Sequence, residues 1–124
     1  MAEVRIILSG LWVAVMLTYL LGDVLRLFAG DVTPGEIGGR KVSQGMMLGI
    51  AVIMLVPIIM VVLSLTLPYP AIGWINIVVA VIVVVFNLAG LPYKGQYDNL
   101  LILVSFVFNV LIAWYAWTWV STAA

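Results

Sequence analysis

Residues 42–93 read VSQGMMLGIAVIMLVPIIMVVLSLTLPYPAIGWINIVVAVIVVVFNLAGLPY, and this stretch decides the fold. It fills the 52 positions between Lys41 and Lys94 without a single charge. A helix rises about 1.5 Å per residue and the hydrocarbon core of a bilayer is about 30 Å thick, so one crossing takes about 20 apolar residues and this run fits two. The divide falls at Leu67-Pro68-Tyr69-Pro70, where two prolines stop a helix and leave a tight reversal. Ile50 to Leu63 and Ile77 to Phe86 are apolar on every side, whereas a core helix of a soluble bundle keeps a polar outer face at period 3.6. Strand alternation is missing too, which argues against a membrane barrel.

The flanks repeat the pattern. Seventeen uncharged residues separate Arg5 from Asp23, and 26 residues without Asp, Glu, Lys or Arg follow Asp98. Four spans result, near 4–28, 45–67, 71–90 and 98–120, in one integral membrane domain over residues 1–124. Short connections force neighbouring spans to run antiparallel, so the expected fold is an all-α, transmembrane, up-down-up-down four-helix bundle. Composition agrees: 66% of the 124 residues are hydrophobic and 8% charged, with a mean hydropathy of +1.31, where a soluble domain carries about a quarter charged residues. Arg5 ahead of an apolar stretch resembles the start of a signal peptide, but Thr18-Tyr19-Leu20-Leu21-Gly22-Asp23 offers no small-x-small cleavage pattern, and we read a retained first span.

The connection from Gly30 to Gln44 is the one sizeable loop. Thr33-Pro34-Gly35-Glu36 within it has the form of a capping box able to start a short helical turn, which Gly38-Gly39 would end; a flexible surface loop is the competing expectation. Gly90 to Tyr97 carries turn residues, after which Asp98 or Asn99 can cap the fourth helix. Lys and Arg set the expected orientation. The side with both termini and the 67–71 turn holds only Arg5, and the opposite side holds Arg26, Arg40, Lys41 and Lys94. The positive-inside rule then puts both termini outside a prokaryotic cytoplasmic membrane.

Net charge is zero, so nothing points to nucleic acid, and the expected partners are the lipid bilayer, a second copy of the chain or a membrane partner subunit. The absence of Cys and His removes disulfide and thiol redox chemistry, the usual zinc sites and the usual haem ligands, and no cofactor or metal is expected.

In hydrocarbon an unpaired polar side chain is costly, so polar positions mark the bundle interior. On the first span Trp12, Met16, Tyr19, Asp23 and Arg26 follow helical spacing. Asn76 and Asn87 lie eleven residues apart on the third, and Ser105 and Asn109 share a face of the fourth. The second span offers instead Gly45-x-x-x-Gly49, which permits close helix contact. It also carries Pro57, which kinks a helix and frees the carbonyl of Ile53 for Asn76, Asn109 or a water. Two readings apply to Asn76, Asn87, Ser105 and Asn109: interhelical hydrogen bonds that set register, or the lining of a polar cavity; Tyr19 would supply a hydroxyl beside Asp23 if that carboxylate faces the bundle. Asp23 is the one acid embedded in a span. It either pairs with Arg26 near the interface or faces the bundle as a proton- or cation-binding carboxylate. All five tryptophans, Trp12, Trp74, Trp114, Trp117 and Trp119, fall toward the terminal side, as an interfacial belt or as an aromatic mouth for an apolar or cationic ligand.

The run Leu11-Trp12-Val13-Ala14-Val15-Met16 with Tyr19, Gly22-Asp23 and Leu27-Phe28, and the ending Trp114-Tyr115-Ala116-Trp117, resemble a family of small prokaryotic four-span membrane proteins. That resemblance implies a four-helix fold and brings no activity and no functional residue. Small multidrug transporters share the size and span count but use a glutamate in their first helix; here the acid is Asp23, near the far end of the span, and their other motifs are missing. Nucleophile–base pairs and metal clusters are absent, which argues against an enzyme. The leading expectation is a non-enzymatic bundle, structural or accessory or binding a small ligand. The alternative is a small oligomeric transporter or channel in which Asp23 couples a proton or cation.

Overall fold

In a computed structural model of the chain, residues 2–30, 35–37, 40–89 and 96–122 are described. Four long helices account for nearly all of them: α1 (Ala2–Ala29), α2 (Gln44–Thr66), α3 (Ala71–Ala89) and α4 (Gln96–Thr122). Each matches an expected span to within two residues at either end, and all four are long and apolar enough to cross a membrane.

The ends of the helices follow from local chemistry. Gly30, at φ +75°, takes the left-handed conformation that closes a helix, and its N–H returns to the Leu27 carbonyl at 3.2 Å. Ser43 caps α2, its hydroxyl accepting from the Met46 N–H at 3.1 Å. The Leu67 N–H bonds the Leu63 carbonyl at 3.0 Å before the prolines end the run. Between α1 and α2 the structure departs from both expectations for the first connection. Glu36–Ile37 (β1) and Arg40–Lys41 (β2) pair antiparallel, Glu36 opposite Lys41 and Ile37 opposite Arg40. Two strands joined by Gly-Gly are a hairpin pattern, a signal that outweighs the capping-box reading of Glu36; Thr33 and Pro34 lie outside the described residues.

The chain runs up-down-up-down, but the four helices are not equivalent. α1 packs along both α2 and α4, α3 packs along α4, and α2 and α3 scarcely touch. Leu8, Trp12 and Val15 of α1 meet Ile72 and Ala80 of α3 and Ile112, Ala116 and Trp119 of α4 in the core, while α2 adds little beyond Met60. Gly73 lets α3 approach α4: a Cβ there would sit 2.3 Å from Cγ1 of Val120. Outside this core the surface is oily. Leu17, Val62, Ile82, Phe86, Leu103 and Val110 are each more than half exposed, a contiguous apolar surface of the kind that marks contact with a membrane or another protein.

A polar hub and a wedge-shaped cavity

Two sets of polar side chains lie inside the bundle, one at each end. At the terminal side the hub is Asn76, fully buried. Its Oδ1 accepts from the Trp12 indole N–H at 2.7 Å. Its Nδ2 donates to the Ile72 carbonyl at 2.9 Å and lies 3.4 Å from the Ser64 hydroxyl. Three helices are thereby tied at one point. A buried indole needs an acceptor and a buried carboxamide needs both donor and acceptor, so the pairing satisfies both groups. Nearby, the Ser9 hydroxyl donates to the Val61 carbonyl at 3.0 Å. Arg5 reaches across from α1 to the last carbonyls of α2, donating to Leu67 at 2.7 Å and Ser64 at 3.3 Å, with its guanidinium 5.4 Å from the Trp119 ring centroid. That places a cation at a helix C-terminus and over an aromatic face, both favourable.

The tryptophans therefore divide. Trp12 and Trp119 are buried parts of the core, whereas Trp74, Trp114 and Trp117 stay about half exposed on the outer surface. Trp74 and Trp117 meet edge to face at 5.9 Å between centroids.

At the other end α2 stands off from the bundle. Every residue from Gln44 to Ile53 is exposed, including Gly45 and Gly49, and a Cβ on Gly49 would meet nothing within 4 Å. The standing-off opens a cavity of about 350 Å³. Its inner wall is apolar: Met54, Val56 and Pro57 of α2 face Ile82 and Val83 of α3. Toward the loop side the lining becomes polar, with Tyr19, Asp23 and Arg26 of α1 and Asn87 of α3, while Phe86, Leu101 and Ile102 complete the wall. Asn87 donates through Nδ2 to the Tyr19 hydroxyl, and Arg26 pairs with Asp23. α2 runs unbroken through Pro57. The partners of Asn76 are Trp12, Ser64 and Ile72 and that of Asn109 is Ser105, so neither asparagine takes the Ile53 carbonyl.

Of the polar residues singled out from the sequence, Tyr19, Asp23, Arg26 and Asn87 thus meet in one cavity, and Asn76 sits apart in the hub. Ser105 and Asn109 bond within their own helix instead, to the carbonyls of Ile102 at 2.6 Å and Ser105 at 2.9 Å. Asn109 Oδ1 is buried without a hydrogen-bond partner. Arg5, Ser9 and Ser64 join the hub around Asn76, and the sequence reading names none of them as a site residue. Ser64 lies one turn before Pro68, and Arg5 and Ser9 stand one turn apart on one face of the first span; a serine or arginine on an otherwise apolar span is the signal that was there to be used. Among the described residues, no group of three His, Cys, Asp or Glu could hold a metal ion.

Fold and cavity together define a class: a small four-helix protein of membrane-crossing type, with an interior split into a packed polar-pinned half and an open half. The chain belongs to the family of unknown function DUF6326, whose family model matches residues 2–124. No curated protein and no solved structure matches it.

Proposed function

We propose that this protein is an integral membrane bundle that binds a small, largely apolar ligand in the cavity between α2 and the other three helices. The observation that carries the reading is the cavity itself, about 350 Å³ with oily inner walls and polar groups confined to one end. Binding sites for small molecules have this character: concave, of a few hundred Å³, mostly apolar, with a few convergent polar groups. An engineered apolar cavity of about 150 Å³ already takes up benzene, so a space of this size holds more than one ring's worth of hydrocarbon.

The transporter alternative has less support. It needs a carboxylate able to exchange its partner for a proton or a substrate cation, and Asp23 is already paired with Arg26 from one helical turn away, at a side-chain exposure of 52%. Under the binding reading the pair closes the polar end of the site, and the termini face outward by the distribution of Lys and Arg.

Purification in mild detergent, followed by native mass spectrometry and organic extraction, tests the reading. Wild-type protein should retain a small apolar species at a fixed ratio, and Val83→Trp, which fills the inner end of the cavity, should lose it while remaining helical and cooperatively folded. Equal retention by both proteins, or a wild-type chain that carries nothing and takes up nothing, would overturn it.

A further inference from the structure

We infer that the first half of α2, residues 44–56, is a gate that pivots at Pro57 and opens the cavity sideways to the bilayer; this rests on the binding reading above and specifies how a ligand reaches that site. The first ground is how differently the two halves of α2 are held. Beyond Pro57, Met60 and Ser64 are buried, the Val61 carbonyl accepts from the Ser9 hydroxyl at 3.0 Å, and Arg5 donates to the carbonyls of Ser64 and Leu67. Before Pro57, every residue from Gln44 to Ile53 is exposed, and among the described residues no hydrogen bond ties this half to another helix. Its start is no better anchored: Ser43 caps its own helix, the Val42 N–H returns to the Gly35 carbonyl at 2.9 Å, and β1 and β2 pair with each other. A segment with few buried contacts and no hydrogen bond to its neighbours moves at low free-energy cost.

The pivot is the second ground. Pro57 has no N–H to return to the Ile53 carbonyl, so the helical ladder lacks a bond where the held half meets the free one. Sharp helix bends concentrate at prolines for this reason. A turn of about 15° there carries Gln44, about 20 Å away along the helix, through about 5 Å, more than the spacing of about 4 Å at which hydrocarbon carbons pack. The residues at the pivot, Ile53, Met54, Val56 and Pro57, are also the α2 wall of the cavity, and Ile82, Val83 and Phe86 of α3 complete it. Motion about Pro57 therefore widens or narrows the gap between α2 and α3.

Lipid removes the drive that would otherwise fix the position. Hydrocarbon tails solvate an apolar helix face as well as another apolar helix does, so packing alone separates the open and closed arrangements and their free energies lie close together. Occupancy of the cavity then selects between them: a filled cavity holds the first half of α2 away from α3, and an empty one lets it close.

The chain has no cysteine, so introduced cysteine pairs carry spin labels without background. Leu48→Cys with Leu88→Cys spans the gate, and Val62→Cys with Val78→Cys spans the held half; all four sites are more than half exposed. In lipid nanodiscs, pulsed electron–electron distance measurements on the full chain should give a distribution at least about 5 Å broader for the first pair than for the second. Pro57→Ala, which restores the missing N–H, should narrow the first distribution to the width of the second, and Val83→Trp, which fills the cavity, should remove its short-distance part. Equal widths for the two pairs in the otherwise wild-type chain would overturn the gate without either variant having to fold, as would a first distribution that stays equally broad in Pro57→Ala. Native mass spectrometry of the same samples reads the binding claim separately. Equal widths with an apolar species retained would remove the gate and leave binding standing, whereas the expected widths with nothing retained or taken up would overturn the binding reading and leave the pivot standing.

Discussion

Replacing Asn76 by leucine, which branches at the same atom but is bulkier and cannot hydrogen-bond, should destabilise the bundle by about 2 kcal/mol. Asn76 is fully buried and receives the Trp12 indole N–H at 2.7 Å; its contacts with the Ser64 hydroxyl, at 3.4–3.5 Å, are long and contribute little. Interhelical hydrogen bonds in membrane proteins average about 0.6 kcal/mol and reach about 1.7 kcal/mol. The leucine variant also leaves the indole N–H without an acceptor in an apolar core, and a stranded buried donor costs about 1–3 kcal/mol. Trp12→Phe removes that donor and part of a ring, for a loss of about 1–2 kcal/mol. In the double variant no donor is stranded, so its loss should fall short of the sum of the single losses by about 1 kcal/mol. Reversible unfolding in mixed micelles, titrated with a denaturing detergent, measures all four proteins in one cycle. Losses that add to within about 0.3 kcal/mol would refute the hub, since independent sites add in that way.

Three further outcomes follow from single contacts. Arg5→Met keeps most of the side-chain length but removes the cation from the α2 carbonyls and the Trp119 ring, and should cost about 1–2 kcal/mol in the same titration; an unchanged midpoint would show that water serves those carbonyls equally well. Gly73→Ala drives a methyl into Val120 and should cost about 1–3 kcal/mol, with Val120→Ala recovering most of it; absence of recovery would place the strain elsewhere. Gly49→Ala, on a helix face that meets nothing, should stabilise by about 0.5–1 kcal/mol through helix propensity alone, and a loss of stability would mean that another surface packs closely there.

Charge gaps and prolines carried the helix count, the helix ends and the antiparallel order, because each is a property of one segment and its solvent. Lys41 and Lys94 bound the middle pair, Pro68 and Pro70 separate them, and no partner is needed to say so. The polar residues of the site were visible as well, since Tyr19, Asp23, Arg26 and Asn87 stand out in an apolar background. Their grouping was not. Asn76 and Asn87 are legible as lying toward opposite ends of one face of α3, but not that one ties three helices at a packed hub while the other borders an open cavity. Ser105 and Asn109 look like interhelical donors but turn back to their own backbone. Trp12 and Trp119 read as belt or mouth residues, with Trp12 also on the inward stripe of the first span, and both are buried in the core.

Hydropathy is summed along a helix, so the sequence by itself determined that four segments are long and apolar enough to cross a membrane. Which way each helix turns about its axis, and how far α2 stands from α3, depends on pairs of surfaces: a glycine at position 73 that admits Val120, an indole that finds a carboxamide, a first half of α2 that finds no neighbour. Those choices belong to the tertiary structure alone, and the cavity exists because of the last of them.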